Sequence, residues 1–264
     1  MLQGFLDGST SGNPQILSVA GFVGSLESWA RFHKEWREAR ATAGIDYFHM
    51  TDFMSRQAKP YRGWTENKRN AIISHLLELI NGSAVFAVGV AFRLDDYRTE
   101  IGQGKRSYKP YRFGAGLCIG RVARELAAAK INRSVMYVFE VGDEGEPAFR
   151  KSMAEIIHKL PKYRDEMRIS SVESGTKNAF PALDAADFFA WQVSQWAQKM
   201  QAGKPARPTG YVGRLKMPLL TNMLQREHLR EWATGNSPEN RNALAAVYGV
   251  RIRREKERGG RNHI

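Results

Sequence analysis

The chain has 264 residues, of which 42% are hydrophobic, and Cys118 is its single cysteine. This length and composition predict one substantial α/β core, and one cysteine excludes an intramolecular disulfide and a cysteine-rich zinc site. The formal net charge is +13, and residues 201–264, with 13 Lys/Arg against 5 Asp/Glu, contribute +8 of it. This excess favours a polyanionic partner such as nucleic acid, because basic side chains displace counterions from phosphates; solubility or an anionic surface is the alternative.

The first residues and the apolar stretches bear on where the protein acts. Asp7 lies where a secretory signal would need its apolar stretch, and no basic leader precedes it. The longest strongly apolar stretch, residues 84–92, is far shorter than the roughly 20 residues of a membrane-spanning helix. We therefore expect a cytoplasmic protein without a membrane span.

The first third of the chain predicts a β-hairpin, a mainly helical insertion at residues 25–82 and a third strand. In the helix that follows the hairpin, Trp29, Phe32 and Trp36 recur at a spacing typical of a buried helical face. The elements predicted in chain order are strand 2–7, turn 8–14, strand 16–23, a helix from Leu26 to a stop at Gly44, strand 46–49, a polar loop around Lys59-Pro60, helix 66–80 and strand 84–92.

The middle of the chain alternates between helices and strands. The predicted elements are loop 94–112, helix 113–130, strand 134–141, helix 147–160, strand 167–172 and helix 181–200. Helices between strands imply crossover connections and parallel strand pairing. We assign residues 1–203 to one domain and 204–250 to a helical C-terminal extension, with helical patterns at 218–232 and 238–248. Residues 251–264, with six Arg/Lys and two Glu, form a basic tail that we expect to be flexible.

Three carboxylates are candidates for a common site. Asp7 and Glu140 each end a predicted strand, and ligand sites of open α/β sheets gather at such an edge. Asp187 shares a helical face with apolar residues, where an ionised carboxylate needs a cation or a donor as partner. Hard carboxylate oxygens suit Mg²⁺ or Mn²⁺, and two such ions about 3.5 to 4 Å apart activate water for phosphodiester hydrolysis. Solvated or capping acids are the alternative interpretation.

Short motifs resemble those of the domain of unknown function 3800 family, whose members look like ribonuclease H-like proteins. The matching segments are Phe5-Leu6-Asp7-Gly8-Ser9, Phe48-His49-Met50-Thr51-Asp52, Phe139-Glu140-Val141-Gly142-Asp143 and Ala182-Leu183-Asp184-Ala185-Ala186-Asp187-Phe188-Phe189-Ala190. The resemblance covers roughly residues 3–200 and implies a ribonuclease H-like mixed sheet flanked by helices, with Asp7, Glu140 and Asp187 as its acidic centre. With residues 25–82 set aside, the predicted element order is similar to that fold as well.

Further residues are candidates at the periphery of this centre. His49 either orients water, moves a proton or ligates metal, or it makes a structural hydrogen bond. Asp184 is either an additional metal ligand or an acid of the first helical turn, and Asp143 is either a metal contact or a turn residue. Candidate contacts to nucleic acid are Lys105, Arg106, Tyr108, Lys109 and Arg112, because cations interleaved with aromatics grip phosphates and stack on bases; a solvated loop is the alternative for residues 105–112. Lys177, just before the last core helix, is a separate candidate for a phosphate contact.

The sequence thus predicts a nuclease that hydrolyses phosphodiester bonds of RNA or DNA with carboxylate-bound Mg²⁺ or Mn²⁺. Two alternatives stay open. One is a nucleic-acid-binding module without catalysis, since Gly8 follows Asp7 where the family's first motif more often has Glu. The other is an interaction protein of a toxin or phage-defence pair, whose basic end binds an acidic protein partner.

Overall fold

A computed structural model describes residues 1–102, 109–142, 146–204 and 210–234. Within these residues six strands form one mixed sheet: β1 (Leu2–Ser11), β2 (Ile16–Ser25), β3 (Ala84–Arg93), β4 (Val135–Glu140), β5 (Ile169–Gly175) and β6 (Leu219–Leu224). Their spatial order is β5-β4-β1-β2-β3-β6. The β1–β2 and β2–β3 pairs are antiparallel and the other three pairs are parallel. The prediction of an α/β fold with a mixed sheet is confirmed.

Helices cover both faces of the sheet. They are α1 (Leu26–Ala43), α2 (Met50–Ser55), α3 (Glu66–Ser83), α4 (Leu94–Glu100), α5 (Pro110–Ala128), α6 (Glu146–Lys159), α7 (Pro161–Glu166), α8 (Ala182–Gln201) and α9 (Arg226–Thr234). One hydrophobic core lies between the sheet and α5, α6 and α9, and a second lies between the opposite face and α1, α3 and α8. The second core contains the helices of the predicted insertion.

The strand β1 is longer than the sequence predicts. The predicted turn at 8–14 is wrong for residues 8–11, because Asp7 to Ser11 pair in register with Ala20 to Ile16 of β2. The antiparallel ladder satisfies the backbone of these turn-favouring residues, and so overrides their local preference. The parallel ladder with β4, in contrast, ends at the pair Leu6 and Phe139. Asp7 therefore lies one residue beyond that ladder.

Helix α1 follows the predicted signals closely. The side-chain oxygen of Ser25 accepts a hydrogen bond from the Ser28 amide at its start, and Gly44 ends it in the left-handed conformation with φ of 74°. The predicted strand at 46–49 is wrong, since these residues form an irregular segment that leads into α2. Side chains of α8, rather than a neighbouring strand, accept hydrogen bonds from the amides of Phe48 and Met50.

Two further predictions need correction. Residues 219–224 are not helical: they form β6 and pair with residues 87–92 of β3, so part of the predicted helical extension joins the main sheet. Residues 94–100 of the predicted loop form α4, whose Glu100 pairs with Arg226 and Arg230 of α9. The helical pattern at 238–248 and the tail at 251–264 lie outside the described residues.

Within the same described ranges, no helix combines the length and the hydropathy needed to cross a bilayer.

Candidate acidic centre

Asp7 and Glu140 lie on adjacent strands at one edge of the sheet. The parallel register pairs Leu6 with Phe139, so Asp7 and Glu140 occupy the next position of each strand. Both side chains point toward α8, because they share the parity of Phe5 and Val138, which pack into the core beneath that helix. Asp7 is buried and the Glu140 side chain is 21% exposed. The β1–β4 pairing thus delivers two carboxylates to one place.

Helix α8 contributes the third acid, Asp187. Its face toward the sheet is apolar over several turns, and Asp187 is itself buried. The Met50 amide at the start of α2 donates a hydrogen bond of 2.6 Å to Asp187 Oδ2. This donor satisfies one oxygen of the carboxylate, and the other, Oδ1, lies near Lys177 Nζ and His49 Nε2. The structure therefore brings together the three carboxylates that the sequence singled out.

Lys177 lies among these carboxylates. Its Nζ is 2.7 Å from Glu140 Oε2, 3.6 Å from Asp7 Oδ2 and 3.7 Å from Asp187 Oδ1. The side chain is only 9% exposed, whereas the sequence suggested a phosphate contact. A positional signal was available: Gly175 of β5 pairs with Glu140, so Lys177 follows a third parallel strand at the same edge.

The ionisation of the centre reflects its burial. Burial raises the pKa of Asp7 well above its ordinary value, the Lys177 charge opposes this shift, and Glu140 and Asp187 add to it. Burial also raises the pKa of Asp187 against the opposing charge of Lys177. For Lys177, burial lowers the pKa, but the three acids outweigh it and the net shift is upward. Lys177 is thus a firmly charged ammonium, whereas Asp7 and Asp187 hold their protons more tightly than free carboxylic acids do.

His49 lies at the exposed side of the centre. Its Nδ1 is 2.9 Å from Asp52 Oδ2 and its Nε2 is 3.8 Å from Asp187 Oδ1, while 37% of the side chain is exposed. Because an ionised carboxylate only accepts hydrogen bonds, Nδ1 carries the proton in this pair. The pairing with Asp52 therefore fixes the ring so that Nε2 faces the acids.

Asp184 belongs to a different set of contacts. Its Oδ2 accepts hydrogen bonds from Trp36 Nε1 at 2.8 Å, Arg40 Nη1 at 3.0 Å and the Phe48 amide at 3.0 Å. Burial raises the pKa of Asp184 to about 7 against the charge of Arg40 and these donors. The structure therefore uses Asp184 to join α8 to α1 and to the segment before α2, and does not bring it into the acidic centre.

Two of the other candidates, Lys109 and Arg112, lie at the start of α5. Lys109 is the N-cap position of α5 and Arg112 lies in the first turn of that helix. Neither lines the cleft beside the acids. The remaining candidates, Asp143, Lys105, Arg106 and Tyr108, fall outside the described residues.

A cleft opens beside the acidic centre. It has a volume of about 350 Å³ and is lined by Tyr47, His49, Glu140, Thr176, Lys177 and Asn178. Tyr47, which sequence reasoning missed, also borders a neighbouring cavity of about 270 Å³, and 48% of its surface is exposed. Polar, cationic and aromatic groups thus lie together at the mouth of the centre.

The carboxylates have the right chemistry for a divalent ion, although their present arrangement is built around an ammonium. Among the residues that the structure describes, no group of three Asp, Glu, His or Cys side chains is spaced as a metal site. Carboxylate oxygens are nevertheless the ligands that Mg²⁺ and Mn²⁺ prefer. When all three carboxylates are ionised, they and the ammonium sum to a charge of −2, which a divalent ion balances. Asp7, Glu140 and Asp187 therefore fit such an ion by the chemistry of their side chains, but not by their present spacing.

Comparison with known proteins adds no relative: no protein-family model, no curated protein and no solved structure matches this chain. The resemblance to the domain of unknown function 3800 family stays a prediction.

Proposed function

We propose that this protein is a metal-dependent nuclease that hydrolyses phosphodiester bonds of RNA or DNA in the cytoplasm. One observation carries the proposal. Asp7, Glu140 and Asp187 are far apart in sequence, but an oxygen of each lies within 4 Å of Lys177 Nζ at one edge of the sheet. Buried acids with excess negative charge are costly unless a cation compensates them. A cleft beside them gives a polyanionic strand access, and the +13 charge of the chain favours its approach.

The chain's own residues have distinct roles in this proposal. Asp7, Glu140 and Asp187 would hold the ion, Mg²⁺ or Mn²⁺, which would supply an activated water and charge stabilisation for phosphodiester cleavage. His49 Nε2, oriented by Asp52, takes a proton from the attacking water at the exposed side of the acids. Thr176 and Asn178 line the cleft beside Glu140 and offer polar groups to the substrate's phosphates.

The topology supports a ribonuclease H-like fold as part of the same proposal. Three antiparallel strands, β1 to β3, are followed by β4 and β5, which alternate with helices. Strand β4 pairs in parallel with β1, and β5 pairs in parallel with β4. This is the order that the motif resemblance implies once α1, α2 and α3 are set aside. A fold of this kind hosts several activities, so the function depends on the acids.

Cleavage assays test the proposal directly. Purified protein is incubated with RNA, single-stranded DNA and duplex DNA in Mg²⁺ or Mn²⁺, and cleavage is expected only with metal. Asp7→Asn and Asp187→Asn should each abolish it. Asp165→Asn is the matched control, since Asp165 lies on the surface, where its carboxylate pairs with the adjacent Arg164. Cleavage that survives Asp7→Asn and Asp187→Asn would rule out the mechanism.

The position of Lys177 among the acids favours a second candidate function, nucleic-acid binding without catalysis. An ammonium already compensates part of the acid charge, as expected for a nucleic-acid-binding module in which the acids are structural. Such a module would bind oligonucleotides with an affinity that falls steeply with salt and would show no metal-dependent turnover. Fluorescence anisotropy at several salt concentrations, combined with the cleavage assay, distinguishes the two functions.

A further inference from the structure

Lys177 is held in place by its own segment as well as by the acids. The segment lies between β5 and α8, and its backbone is fixed by the Phe180 amide donating to the Thr176 carbonyl at 2.8 Å. Arg40 Nη1 donates to the Lys177 carbonyl at 3.3 Å. The ammonium therefore reaches the acids from a constrained backbone, unlike a surface lysine that samples many rotamers.

The charges of the centre limit how many further cations it takes. Carboxylates that hold a metal ion are deprotonated. Three ionised carboxylates and the Lys177 ammonium sum to −2, so one divalent ion gives zero and two give +2. Unbalanced charge is costly in a site whose members are largely buried. In the free protein, charge balance therefore favours a single divalent ion.

The geometry of the centre also favours a single divalent ion. The Nζ of Lys177 lies within 3.7 Å of one oxygen of each acid, and so occupies the space that the three carboxylates share. Any divalent ion has to use the remaining carboxylate oxygens or the exposed side of the centre near His49. For two ions about 3.5 to 4 Å apart to be shared by the same three carboxylates, one of them would have to take the position that the ammonium already holds.

We infer that Lys177 is a resident cation that takes the place of a second metal ion, so that the acidic centre binds one divalent ion per chain. This inference rests on the proposed function and specifies how the site is loaded. Lys177 is a positioning residue here: it keeps the three carboxylates together before metal arrives.

Metal binding to the full chain, without nucleic acid, tests this inference. Calorimetric titration with Mn²⁺ should give one ion per wild-type chain. Lys177→Met removes the ammonium but retains a long side chain, and we expect it to bind the first ion about ten-fold or more tightly, because a nearby positive charge is lost. Lys177→Arg should keep one ion per chain. Lys199→Met removes one charge from the exposed end of α8 and should behave as wild type.

Thermal unfolding gives a second measurement that does not require Lys177→Met to fold without metal. Mn²⁺ should raise the melting temperature of Lys177→Met more than that of the wild type, since binding to the native state stabilises it. Folding of Lys177→Met only in the presence of Mn²⁺ would equally support the resident-cation role.

Three results would overturn the inference: two Mn²⁺ ions per wild-type chain, an unchanged Mn²⁺ affinity of folded Lys177→Met, or no binding by either protein. Failure of the proposed function is distinguishable from these. One bound ion without cleavage of any nucleic acid would reject the nuclease and keep the inference. Cleavage by a chain that binds two Mn²⁺ ions would reject the inference and keep the nuclease.

Discussion

Arg40 Nη1 lies 3.0 Å from Asp184 Oδ2 where both side chains are almost fully buried. The pair joins α1 to α8 directly beneath the segment that carries His49 and the amide of Met50. The Phe48 amide and Trp36 Nε1 complete the set of donors to the same oxygen. This buried polar cluster therefore fixes the segment from which the acidic centre receives its amide donor.

The Arg40 and Asp184 pair should respond asymmetrically to substitution. Asp184→Leu strands a buried guanidinium that stays charged, so we expect a loss of about 4 kcal/mol in the free energy of unfolding. Arg40→Met should cost less, because the pKa of Asp184 is already raised to about 7 by burial and the acid can take up a proton. Urea denaturation measures both, and the double variant should be more stable than Asp184→Leu alone. Equal losses in the two single variants would contradict this account.

His33 should make stability depend on pH. Burial, followed by the charges of Arg37 and Arg40, lowers the pKa of His33 from 6.5 to about 4. Between these values the unfolded chain binds a proton that the native state does not, so stability is lost as the pH falls from 6.5 toward 4. The contribution is at most about 1.4 kcal/mol per pH unit, and less because the ring is partly exposed.

The control for this pH effect is His33→Phe, which keeps an aromatic ring against Phe5 and Phe180. Urea denaturation of both proteins at pH 7.5 and pH 5 measures the difference between them. The wild type should lose more stability than the variant on acidification. Parallel losses would show that His33 does not titrate in this range.

Tyr47 should contribute to binding of single-stranded nucleic acid. It is exposed, lines the cleft next to His49 and borders the neighbouring cavity. Unpaired bases stack on such rings with about 1 to 3 kcal/mol each, so Tyr47→Ala should weaken binding of a single-stranded oligonucleotide about ten-fold. Tyr47→Phe retains the ring and should bind as wild type. Anisotropy measured in EDTA separates this effect from cleavage, and equal affinities of Tyr47→Ala and wild type would exclude the role.

The sequence predicted correctly those helices and strands whose local residue pattern agrees with the surroundings that they have in the fold. Helix α1 has a Ser N-cap, a periodic aromatic face and a Gly stop, so its local and tertiary preferences coincide. Strand β6 has no such agreement: Leu219, Leu220, Met223 and Leu224 fit a helical face as well as a strand. Only its pairing with β3, more than 130 residues earlier, decides between the two.

The acidic centre was likewise predicted only in part from the sequence. Asp7, Glu140 and Asp187 were found because each combines a charge with a strand end or an apolar helical face. The groups that set the ionisation of these acids were not found in this way. Lys177 and the Met50 amide reach the acids through tertiary packing. The position of Lys177 after a third strand places it at the same edge of the sheet, but does not encode its contact with the carboxylates. Similarly, the role of Asp184 depends on Arg40, which lies 144 positions away in the chain.

His49 should affect the rate of cleavage more than the binding of metal or substrate. Its Nε2 faces the acids while Asp52 holds Nδ1 at 2.9 Å, an arrangement suited to moving one proton in the transition state. His49→Ala should therefore lower kcat about 100-fold or more with KM and Mn²⁺ affinity nearly unchanged. Asp52→Asn should lower kcat less, because an amide oxygen still accepts from Nδ1 and keeps the ring oriented. If His49→Ala weakens Mn²⁺ binding and leaves kcat unchanged, His49 is a metal ligand. If neither quantity changes, His49 has only a structural role through its hydrogen bond to Asp52.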